Sequence, residues 1–160
     1  MARIRTIKPD FWEDEKIGAL SHGARLLFLG SLNLCDDEGL LRWNEMYLGS
    51  AVFPYDDIKA ETITKWMKEI TDCGLVYMYL AGKLNQKIGI VMNFHKHQRI
   101  DKPQPSKFTP PNYRDSRFKI AIANRDHWIC ALCKEIIPEH ARTDVCNSLA
   151  LSLDHIKSKN

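Results

Sequence analysis

A chain of 160 residues is long enough for one domain or two small ones, and 44% hydrophobic residues suffice for a packed core. No apolar run reaches the roughly 18 residues that a membrane span needs, and no signal-like segment follows residues 1–5, so the expectation is a cytoplasmic protein without a membrane partner. Five cysteines favour reduced thiols or a metal site over a disulfide framework, and the net charge of +3 is unevenly spread. Residues 1–94 carry 11 Lys/Arg against 13 Asp/Glu, whereas residues 95–160 carry 12 against 7. The basic C-terminal third suits a polyanion, although a solvated basic face would leave the same signature.

In chain order, Ser21 is placed to cap a helix running to about Cys35, with Leu26, Leu27, Leu29, Leu32 and Leu34 on a broad apolar face. Asp36-Asp37-Glu38-Gly39 reads as a turn, and residues 40–43 as one short strand. Asn44 caps a short helix through Leu48. Asp56-Asp57 then open a longer helix ending at Gly74, with Ile63, Trp66, Met67 and Ile70 on one buried stripe. Residues 75–80 and 87–94 are two strands joined by a turn at Ala81-Gly82-Lys83.

Helices, a short strand, a further helix and a hairpin make the element order of a winged helix-turn-helix, so the expected class is α+β. In that layout residues 57–73 are the recognition helix and the hairpin is the wing. Lys59, Thr62, Lys65 and Lys68 lie off the apolar stripe and could face DNA phosphates, with Glu61 and Glu69 on the same polar surface. An ordinary amphipathic helix would show the same pattern. Residues 95–117 form a basic, Pro-rich linker holding Pro103, Pro105, Pro110 and Pro111. Its Lys96, Arg99, Lys102 and Lys107 could track phosphates, or it could be a plain solvated connection. Cys35 and Cys73 read as buried apolar residues.

The segments Arg3-Ile4-Arg5-Thr6-Ile7-Lys8-Pro9-Asp10-Phe11-Trp12, Asp36-Asp37-Glu38-Gly39 and Asn93-Phe94-His95-Lys96-His97-Gln98-Arg99-Ile100 resemble a family of phage and prophage replication-type proteins. That family joins an N-terminal winged-helix domain to variable C-terminal modules. The resemblance implies a domain over residues 1–94 that binds DNA in a phage replication or DNA-processing setting. A separate alternative is a phage inhibitor that binds a host nucleoprotein complex, so phage or host replication or defence proteins are candidate partners. The resemblance assigns no individual DNA contact.

Residues 118–160 resemble the start of an HNH (ββα-metal) endonuclease, through Arg125-Asp126-His127-Trp128-Ile129-Cys130-Ala131-Leu132-Cys133 and Leu151-Ser152-Leu153-Asp154-His155-Ile156. Cys130 and Cys133 form a Cys-x-x-Cys knuckle, half of a tetrahedral structural zinc site. His140 and Cys146 could complete it, or a second cysteine pair beyond the catalytic His, as the resemblance implies. The resemblance further makes His155 the general base and Asp154 a ligand of Mg2+ or another catalytic divalent cation. The pattern continues past this point with a helix bearing an Asn and a second His or Asn, whereas five residues follow His155. The expectation is therefore either a fragment of a longer nuclease or a truncated descendant that keeps DNA binding alone.

Counting ligands yields a test. Asp154 by itself supplies too little to fix a cation, so the 160-residue chain should bind DNA yet cut it slowly or not at all with magnesium or manganese. Rapid metal-dependent cleavage lost in His155→Ala would show that the remaining ligands lie within this chain.

Overall fold

The computed structural model describes residues 3–111. Within the unit Met1–Pro110, the chain opens with two single-turn helices, α1 (Asp10–Glu13) and α2 (Glu15–Gly18). Three longer helices follow, α3 (His22–Leu34), α4 (Glu45–Val52) and α5 (Ala60–Asp72), with strand β1 (Leu40–Arg42) between α3 and α4. Strands β2 (Val76–Ala81) and β3 (Gln86–Val91) form a hairpin, and a short helix α6 (Phe94–His97) comes last. The architecture is α+β: three mutually packed helices on a three-stranded antiparallel sheet of order β1-β3-β2.

Local chemistry explains most boundaries. Ser21 caps α3 by accepting from the Ala24 N–H, and Asn44 caps α4 by accepting from Tyr47 at 3.0 Å. α4 runs on to Val52, one turn past its expected end at Leu48. α5 begins at Ala60 rather than at the aspartates, because buried Phe53 packs on Trp66 and draws the connection inward first. Gly74 ends α5 in the left-handed region (φ +68), where a Cβ would be strained.

The hairpin is two strands with a four-residue turn, as register Met78↔Gly89 and Leu80↔Lys87 show. β3 stops at Val91, three residues short of the expected Phe94. Asn93 adopts φ +60, a conformation Asn tolerates, and swings Phe94 into the core. Phe94 lies against Gly39, where an added Cβ would stand 2.7 Å from its ring.

Leu41, Val76 and Val91 point to the helices and join Leu27, Ile63 and Ile70 in one core. By alternation along each strand, Leu40, Ile88, Tyr77 and Tyr79 point to the outer face. Leu40 and Ile88 are buried there too.

Asp37 is 1% exposed, and two distant segments meet on it. Arg3 and Arg5 reach it from the N-terminal arm, and the Gln104 N–H donates to it at 3.1 Å. Arg5 also donates to the Cys35 and Asp36 carbonyls and stacks over Phe94, 5.1 Å from the ring centroid. Thr6 and Gln98 exchange a reciprocal pair of hydrogen bonds at 3.0 and 2.8 Å. The Pro-rich segment expected to be a linker from residue 95 is thus pinned to the unit as far as Thr109. The Ser106 hydroxyl donates to Asp36, its N–H to Glu38, and Tyr79 donates to the Thr109 carbonyl at 2.8 Å. Asp36 and Glu38 precede β1 and Tyr79 lies on β2, so this strap crosses the outer face from one sheet edge to the other. Two strand spacings of about 10 Å match the reach of three extended residues.

The Gln104 N–H and the Arg3 and Arg5 guanidiniums hold the Asp37 carboxyl below its usual range, outweighing the opposing effect of burial. A depressed folded value means Asp37 stabilises fully above its unfolded pKa of about 4 and loses that contribution as pH falls through the lower folded value. Asp37→Asn should cost about 3 kcal/mol or more at pH 7 and flatten the loss of stability between pH 5 and pH 2, followed by urea unfolding. Identical acid slopes for variant and wild type would remove Asp37 from this role.

Candidate nucleic-acid interface

α5 presents an outward row of Glu61, Lys65, Lys68 and Asp72, set opposite its buried Ile63, Met67 and Ile70. Lys68 is held by Asp72 one turn on, an exposed pair that contributes little. Glu69, expected among the acids of this surface, is turned away. Ser21 donates to it from its hydroxyl and from its backbone N–H (3.0 Å), which lowers the Glu69 pKa. Lys59 sits at the N-cap of α5 and Lys65 on its outward row, both exposed and without an ion-pair partner among the described residues. Lys83, also exposed and unpaired among them, lies in the hairpin turn, and Lys87 stands 3.9 Å from Glu45. The sequence did not single out these hairpin lysines, because nothing in their spacing marks them.

Other cations are committed to the fold. Arg25 donates to the Ile17, Gly18 and Leu20 carbonyls, closing the end of α2, and Arg3 and Arg5 serve Asp37. A second basic group lies along α6 and the strap. Lys96, Arg99, Lys102 and Lys107 are all exposed; Arg99 is within 3.8 Å of Asp101, and Lys8 donates to the Lys96 carbonyl. Partial burial, followed by the charges of Lys96 and Lys8, pushes the His97 pKa down.

These two groups do not share a surface throughout. α5 packs on the face of the sheet carrying Val76, whereas the strap bearing Lys102 and Lys107 follows the outer face. Cys130, Cys133, His140, Cys146, Asp154 and His155 lie outside the described residues. Among the described residues no cluster of three metal-capable side chains occurs, and no helix is long and apolar enough to cross a membrane. Cys35 is buried, its thiol pushed up by burial, and Cys73 is half-buried. Comparison with family models, curated proteins and solved structures finds no significant match.

Separate surfaces should act independently. If the expected DNA binding involves both groups, combining Lys59→Ala and Lys65→Ala with Ala at Lys96, Arg99, Lys102 and Lys107 should change DNA affinity additively, to within about 0.5 kcal/mol. A coupling well above that, measured by fluorescence anisotropy on one duplex, would mean that the two groups form a single interface.

Proposed function

We propose that this chain is a DNA-binding protein whose first unit is a winged helix-turn-helix, with α5 as recognition helix and the β2–β3 hairpin as wing. The observation that carries the reading is the combination of element order and sheet order. Helix, strand, two helices and hairpin, with the first strand paired to the last, match the way this fold sets one helix beside a hairpin. In this reading α5 enters the major groove while Lys59, Lys83 and Lys87 meet flanking phosphates. The outward row of α5 sets two lysines between two acids, so it supplies little phosphate attraction by itself. The hairpin lysines and basic residues further along the chain must supply the rest.

For residues 118–160 the proposal rests on sequence resemblance alone: HNH-type phosphodiester hydrolysis, with His155 as base and Asp154 on a divalent cation. Cys130 and Cys133 would hold zinc there as a structural ion. A phage replication or DNA-processing setting belongs to the same resemblance.

A triple variant decides between surfaces. Lys65→Glu with Lys83→Ala and Lys87→Ala should weaken binding to a mixed-sequence duplex severalfold, and should flatten the log–log salt dependence by about one unit per lost phosphate contact. Unchanged affinity in this variant, with loss on strap substitution, would move the interface to the strap.

A further inference from the structure

The two edges of the sheet are built differently. β1 is three residues long and ends in exposed Arg42, short and charged as edges that avoid foreign strands are. β2 is six residues long, and none of them from Val76 to Ala81 carries charge. It pairs with β3 without a bulge, so nothing twists this edge away. Because the Leu75 carbonyl accepts from the Met92 N–H, the alternation of the ladder turns the backbone groups of Tyr77 and Tyr79 to β3 and those of Val76, Met78 and Leu80 outward. Among the described residues no hydrogen bond reaches those outward groups. The strap bonds to the Tyr79 hydroxyl, above the outer face and not in the plane of the edge.

The strand is also left apolar in water where the helices stop covering it. Val76 is buried, but on the same face Met78 is 41% and Leu80 59% exposed. An uncharged strand with an open edge suits the addition of a further strand. Its residue order says which one. Val76-Tyr77-Met78-Tyr79-Leu80 reads apolar, Tyr, Met, Tyr, apolar in either direction, and a two-fold contact needs such a self-complementary patch. With the axis through Met78, that residue faces its own copy, Val76 faces Leu80 and Tyr77 faces Tyr79. Every apolar side chain then meets an apolar one and every tyrosine a tyrosine. The outward groups of Val76, Met78 and Leu80 fall in register and close about six backbone hydrogen bonds. A charged foreign strand gains no attraction here, whereas a second copy meets no like charge.

We propose that β2 pairs antiparallel with β2 of a second copy about a two-fold axis through Met78, making the protein a reversible homodimer. A six-residue strand is about 20 Å long. Pairing along it buries on the order of 400 Å² per copy, at the low end for a specific interface. That area supports a micromolar dimer and not an obligate one. Lys87 lies on β3, away from this edge, and Lys83 lies in the turn beyond it. Pairing therefore uses neither lysine that the DNA-binding reading needs, and the inference does not depend on that reading.

The test is sedimentation velocity of the full chain without DNA, from sub-micromolar to several hundred micromolar protein. A monomer–dimer equilibrium with a micromolar Kd is expected. Met78→Lys sets two positive charges opposite each other and should weaken the dimer roughly tenfold or more, and Met78→Glu should do the same with negative charge. An equimolar mixture of these two variants should restore dimerisation, because unlike charges face each other only if residue 78 meets its own copy. Leu80→Lys, at a more exposed position, should break the dimer as well, and circular dichroism checks the fold of each variant. Wild-type protein that stays monomeric throughout would overturn the proposal. So would a dimer that survives Met78→Lys and Leu80→Lys, or a mixture no more associated than either Met78 variant alone.

Discussion

A carboxylate removed from water must find partners, and in this chain the partners of Asp37 come from both ends of the described sequence. Arg3 and Arg5 arrive from the arm and the Gln104 N–H from the strap. Such a knot is a poor source of net stability, because desolvating the charges offsets much of their attraction. Its effect is selective. Any arrangement that leaves the arm or the strap elsewhere strands a buried charge, so the three segments are bound to converge. Phe94 stacked under Arg5, and Gly39 beneath Phe94, extend the same constraint into the core.

The consequence for function is a division of surfaces. With the strap drawn over the outer face, that face of the sheet is closed by the chain's own backbone. α5 and the hairpin turn keep their outward residues exposed. On the proposed reading, the basic strap begins as a structural staple, and its lysines form a secondary polyanion surface apart from the groove-reading helix.

The helices and hairpin were legible because their signals are local. Ser21 and Asn44 cap where spacing placed them, Gly74 ends α5, and the Ile63, Met67 and Ile70 stripe is buried. Errors fell where a distant contact overrides a local preference. Packing of Phe53 on Trp66 delays α5 past the aspartates, and Phe94 leaves the strand for a site on Gly39. The strap misled for the same reason. Prolines report an extended backbone but not what that backbone lies against, here the carboxylates of Asp36, Asp37 and Glu38 and the Tyr79 hydroxyl. The segments 3–12, 36–39 and 93–100, far apart in sequence, supply most of this knot. Their spacing gave no hint that they touch. The Glu69 carboxylate likewise leaves the α5 surface for Ser21, a bond that no sequence pattern announces.

Amide hydrogen exchange of the full chain with and without a mixed-sequence duplex tests the division most directly. The account predicts new protection on α5 around Thr64 and Lys65 and in the hairpin turn at residues 82–85. It predicts that Gln104 and Ser106, already held by Asp37 and Glu38, are slow in both states. Protection that appears along the strap while α5 and the hairpin exchange unchanged would contradict it.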